Sequence, residues 1–177
     1  MAQQMLPGLG QVAQALADAS SNAAAGSVQG IGKQVIQAMY DILGAYPREN
    51  VLPYAYSLSN TTVKGNALTA NGTIENNIKI SSDAAFVACK VTGSSTGNYS
   101  LLLRLGGSDR VLMNEAVHDA AYVGTAERPS ILPKPMLIQA NSVLNATLAD
   151  LSGAPNEVYL TFIGFKVYNW QNYGPVA

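Results

Sequence analysis

The chain has 177 residues, a formal net charge of −1 and only 12% charged residues, about half the ~25% usual for a soluble domain. This balance gives no basic footprint for nucleic acid, and a single cysteine with a single histidine excludes both an intrachain disulfide framework and a zinc site built from His and Cys ligands. The length admits one domain with a sizeable core plus an appendage, and 48% hydrophobic content beside so little charge implies a surface that is neutral polar or covered by other subunits.

In chain order, the opening MAQQMLPGLG has neither a basic start nor a continuous apolar stretch, so no secretory signal is read and synthesis in a cytoplasm is expected. Residues 1–46 form a charge-poor arm rich in Ala, Gln and Gly. Between Ala19 and Tyr40 only Lys33 is charged, yet Ser, Asn, Gln and Gly fill the window where a membrane span needs Leu, Ile and Phe, so a membrane partner is not expected. A short helix over 11–19 is marginal on its own. A second, over 27–43, has Ser27 as N-cap and Gly44 and Pro47 as its stop. Val28, Ile31, Val35, Met39 and Ile42 recur at helical spacing, Ile36 and Leu43 widen the stripe, and Lys33, Gln34, Gln37 and Asp41 face elsewhere. Such a stripe must dock. Packing on the chain's own body and insertion against another subunit are both open. The glycines at 26, 30 and 32, which permit close approach of a second backbone, favour insertion, and the stripe is taken as an interface.

Residues 47–177 form the body, where the period changes from helical to alternating. Strands are expected over 54–59, 62–69, 73–80, 84–92, 99–105, 110–113, 136–139, 143–149 and 158–168, punctuated by Gly, Asn, Ser and Asp turns. The expected fold is mainly β: an antiparallel β-sandwich of the jelly-roll type with a helical N-terminal arm. Asn71-Gly72 suits a type I′ hairpin turn. Over 158–168, Leu160 and Phe162 share an interior with Phe165 and Val167 only if a bulge near Gly164 shifts the register, and this strand is expected to be central. Cys89, in an apolar run, reads as a buried structural thiol.

A loop over 114–135 breaks the strand rhythm and carries His118, Tyr122 and Arg128, the best candidates in the body for a specific contact. His118-Asp119 raises the question of a hydrolase, but no G-x-S-x-G elbow, H-E-x-x-H helix or P-loop is present. No catalytic, cofactor-binding or metal-ligating residue is assigned. Tyr168, Trp170 and Tyr173 suggest a rival from another class, a receptor- or carbohydrate-binding module.

Gly124-Thr125-Ala126-Glu127-Arg128-Pro129, Leu132-Pro133-Lys134-Pro135, Ile138-Gln139-Ala140-Asn141-Ser142, Leu148-Ala149-Asp150-Leu151-Ser152-Gly153 and Ile163-Gly164-Phe165-Lys166 together resemble the C-terminal half of small β-sandwich structural proteins of bacteriophages. The resemblance spans roughly residues 82–168 and leaves the arm outside. It implies a virion protein, a minor capsid, decoration or head-associated subunit, with no catalytic residues to carry over. Its partners would be itself, as a trimer by analogy with other jelly-roll subunits, and other virion proteins.

Overall fold

The computed structural model describes residues 43–44, 46–106 and 112–172. The interface candidates Val28, Ile31, Val35, Met39 and Ile42, and with them the expected arm, lie outside the described residues. The body is mainly β: β1 (Val51–Asn60), β2 (Thr73–Lys79), β3 (Ala84–Ser95), β4 (Tyr99–Gly106), β5 (Val117–His118), a single helical turn α1 (Asp119–Tyr122), β6 (Ser130–Ile138), β7 (Val143–Asp150) and β8 (Val158–Tyr168). The strands form two antiparallel four-stranded sheets, ordered β1-β8-β3-β6 and β2-β7-β4-β5. The first strand pairs with the eighth, the second with the seventh, the third with the sixth and the fourth with the fifth. β8 is central, between β1 and β3, as its length and apolar content suggest.

Alternation builds the core between the sheets. Tyr99, Leu101 and Leu103 of β4 and Leu144, Ala146 and Leu148 of β7 are buried, while the residues between them are not fully covered. Leu58, Phe86, Val91, Leu160 and Phe162 meet them from the other sheet. Tyr56 joins the same core, its ring edge-on to Phe86 at 4.8 Å, and its hydroxyl bonds Ser81 Oγ at 2.7 Å.

The bulge lies on a different strand from the one expected. β8 keeps one unbroken register against β1, from Val51 opposite Val167 to Asn60 opposite Val158. The shift is on β3: Ala88 pairs with Gly164 and Lys90 with Ile163, leaving Cys89 as the extra residue. Phe86 and Ala88 before it and Val91 after it therefore all reach the core. Phe165 and Val167 lie on the outer face instead, in a second cluster with Val87, Cys89 and Tyr46, joined by Leu43, Val51, Leu137 and Trp170. Cys89 is buried, and burial pushes its thiol up to about 11.

Three other expectations are corrected. Residues 62–69 are not a strand: Thr61 O accepts from Lys64 N and Asn66 N, Gly65 sits at φ 70, and only Leu68 forms a bridge, with Asn156. Without a strand before it, Asn71-Gly72 closes no hairpin. The turn runs from Thr69 to Gly72, with Gly72 N donating to Thr69 O at 2.8 Å and Asn71 alone left-handed at φ 53. Within 110–113, Leu112 and Met113 are not extended strand residues.

The loops at this end of the sandwich converge on two buried polar side chains. Asp150 accepts from Ser152 Oγ at 2.6 Å and from the amides of Asn71, Gly153 and Ser152 at 2.9 to 3.1 Å. Asn156, fully buried, accepts from Gly97 N at 3.0 Å and donates to Gly97 O at 2.8 Å. The Ser152 hydroxyl and these amides hold the Asp150 carboxyl well below the usual carboxylate range. A depressed native pKa stabilises the fold above the unfolded value near 3.9, and that stability is lost progressively as pH falls from there toward the depressed native value. Asp150→Asn is expected to lower the urea midpoint at pH 7 and to show a clearly smaller deficit at pH 2, measured by fluorescence. An equal deficit at both pH values would contradict an ionised hub.

Candidate interface

The expected long loop is shorter than its sequence suggests, because residues 130–135 belong to β6. Prolines are tolerated there since β6 is the outer strand of its sheet, where a missing amide breaks no ladder bond. The strand is also distorted: Ala88 pairs with Met136 and Lys90 with Ile131, so residues 132–135 stand opposite the single residue Cys89. This bulge, with Leu112 and Tyr122, walls an open groove of about 390 Å³ lined further by Pro133, Lys134, Pro135 and Met136.

Sequence reasoning singled out three residues of this region, and the structure joins two of them on one turn. His118 ends β5 and caps α1, its Nδ1 accepting from Ala120 N at 3.2 Å. The same nitrogen lies 2.8 Å from Asp119 Oδ1. Tyr122 closes the turn and packs against the main core, and burial raises its hydroxyl pKa. Arg128 is on a separate exposed turn, where Thr125 N donates to Arg128 O and Arg128 N donates to Thr125 Oγ1, both at 3.1 Å.

The path between them is fixed by glycines. Gly124 bridges Thr92 and its carbonyl accepts from Gly93 N at 2.8 Å, tying a connection that leaves the β2-β7-β4-β5 sheet onto the other sheet. A Cβ on Gly124 would stand 2.1 Å from Ser130 N, so no side chain fits. Tyr122 and the β6 bulge thus border one groove, and Arg128 is not among the residues that line it.

Ser100 stands opposite His118 in the β4–β5 pair, which brings a serine, a histidine and an aspartate into one neighbourhood. Ser100 and His118 lie on the outer face of that sheet, with His118 exposed, whereas Asp119 is on α1 with its side chain largely buried. Among the described residues no cluster of three or more His, Cys, Asp or Glu side chains could hold a metal ion, and no helix is long and apolar enough to cross a membrane. Of the aromatics that raised a sugar-binding reading, Trp170 is partly buried on the second cluster, Tyr168 is half-buried at the end of β8, and Tyr173 lies outside the described residues.

Sequence reasoning missed the groove because its wall is the β6 bulge, and Pro133 and Pro135 argued against a strand. The burial order along β6 breaks at the bulge, with Leu132 and Pro135 buried and Pro133 and Lys134 exposed between them, so no simple alternation signalled this stretch. No protein-family model and no curated protein matches the chain.

Proposed function

We propose that this chain is a non-enzymatic virion structural subunit, a minor capsid, cement/decoration or head-associated protein that stabilises a particle through contacts with copies of itself and with other virion proteins. It would be made in the host cytoplasm and reside in the virion, with a trimer as the favoured closed form. The observation that carries the reading is the strand pairing, in which each strand of the first half meets its counterpart of the second half in reverse order. That order is what a long antiparallel ribbon gives when rolled into a jelly roll, a rigid double sheet that leaves loops and termini free to contact neighbours. Low charge supports it, as do exposed Leu52, Tyr54, Ile131, Leu151 and Tyr159, since interface cores are depleted in charge and enriched in aromatic residues. The resemblance to phage β-sandwich proteins points the same way.

In the assembly, His118, Tyr122 and Arg128 and the groove beside α1 would present the body's contact surface. Sedimentation of the full chain at micromolar concentration is expected to give an oligomer. Arg128→Glu with Lys134→Glu, both with exposed side chains, is expected to weaken association at least about tenfold while leaving the β-type circular dichroism unchanged. A stable monomer, together with absence from any particle, removes the proposal.

A further inference from the structure

The two outer faces of the sandwich differ in chemistry. On the β2-β7-β4-β5 sheet, the outward cross-strand rows are Thr73, Ala149, Ser100 and His118, then Glu75, Thr147 and Leu102, then Asn77, Asn145 and Arg104. Apart from Ala149 and Leu102, these are the polar and charged residues of a solvated face. On the β1-β8-β3-β6 sheet, three successive rows are apolar almost throughout. Val51, Val167 and Ala85 form one, Pro53, Phe165, Val87 and Leu137 the next across all four strands, and Ala55, Ile163, Lys90 and Ile131 the third. The following row, Ser57, Thr161 and Thr92, is polar. The apolar band is thus about 14 Å along the strands and about 14 Å across them, the footprint of one helix of 10–12 Å diameter lying over the sheet.

One end of the band already has a cover. Val87 and Val167 are fully buried although they point away from the main core, and the residues packed on them include Leu43, Tyr46 and Trp170. Leu43 is helical, and Tyr46 N donates to Leu43 O at 3.1 Å, closing a last turn that sets both side chains on the sheet. The expected stripe arrives in phase with that turn: Met39 is four residues before Leu43, Ile42 four before Tyr46, and Val35 four before Met39. A helix over 27–43 would be about 25 Å long, enough to cross all four strands.

We propose that the chain's own segment 27–42 docks as an amphipathic helix on the outer face of the β1-β8-β3-β6 sheet, with Val35, Met39 and Ile42 continuing the seat of Leu43 and Tyr46 over Phe165, Ile163, Leu137 and Ile131. The stripe is then a layer of the subunit itself, and the contacts that build a particle fall to other surfaces. The inference is independent of the virion reading.

Cys89, the chain's single cysteine, lies in the cluster beneath this helix and reports whether the cover is in place. The test is the rate at which N-ethylmaleimide labels Cys89 in the full chain at pH 8. Val35→Asp with Met39→Asp is expected to speed labelling at least about tenfold with the β-type dichroism retained, whereas Gln34→Asp on the polar side leaves the rate unchanged. Should the double Asp variant lose its dichroism, Val35→Ala with Met39→Ala is judged by the same criterion. Protection of the wild-type thiol is expected to be the same at high and low protein concentration. Protection lost on dilution means that a neighbouring copy supplies the cover and overturns the proposal, and so does a labelling rate that the stripe variants leave unchanged.

Discussion

Gly164→Ala is expected to destabilise the protein by about 3 kcal/mol, a large loss for one methyl group. Gly164 faces the β3 bulge, and a Cβ built on it would stand 1.9 Å from Val87 O and 3.0 Å from Ala88 Cα. Both are backbone atoms of the neighbouring central strand, so no side chain can rotate away to make room. Relief requires β3 and β8 to separate, and these two strands carry Phe86, Val91, Leu160 and Phe162 into the core. Urea unfolding followed by fluorescence measures the effect. A cost below about 1 kcal/mol, the scale of ordinary surface substitutions and small repacking, would mean that the bulge does not sit where β8 meets Cys89.

Phe162→Ala is expected to cost about 3–5 kcal/mol, because the ring is fully buried between the sheets and its removal leaves a cavity that two packed layers cannot close. Phe165→Ala is expected to cost less than half as much, since that ring is only half-buried on the outer face. The contrast reads the register directly. Had a bulge in β8 brought Phe165 inward beside Phe162, as the sequence pattern allowed, the two substitutions would cost the same. Equal costs in urea unfolding would mean that Phe165 is covered as deeply as Phe162, against its half-buried place on the outer face.

The difference between these two phenylalanines shows where the sequence stops being informative. Local alternation located β4, β7 and β8, because each has a buried face against the core and so repeats with period two, while β3, buried on both faces at its start, was located by a continuous apolar run. Where an element is held by something other than burial, alternation misled. Residues 62–69 alternate acceptably, but Thr61, Gly65 and Asn66 satisfy their backbone locally, and Thr62 is held by Glu157 through its amide and hydroxyl. The prolines of β6 hid a strand that an edge position tolerates. The long connection that interrupts the strand rhythm drew out His118 and Tyr122 as candidates, but their placement on one turn beside a groove was not legible, since the groove's other wall comes from residues 132–136.

By itself the sequence determined the β character of the body, the central place of its last strand and the burial of its one cysteine, since these follow from composition and from patterns within single segments. Only the tertiary structure decided which strands pair, which of two neighbouring strands carries the bulge, and that one outer face is an apolar band while the other is polar. A strand's pattern states that it has two unlike faces. Which face meets the core depends on register with strands more than a hundred residues away, as between Val51 and Val167, and no local pattern contains that relation.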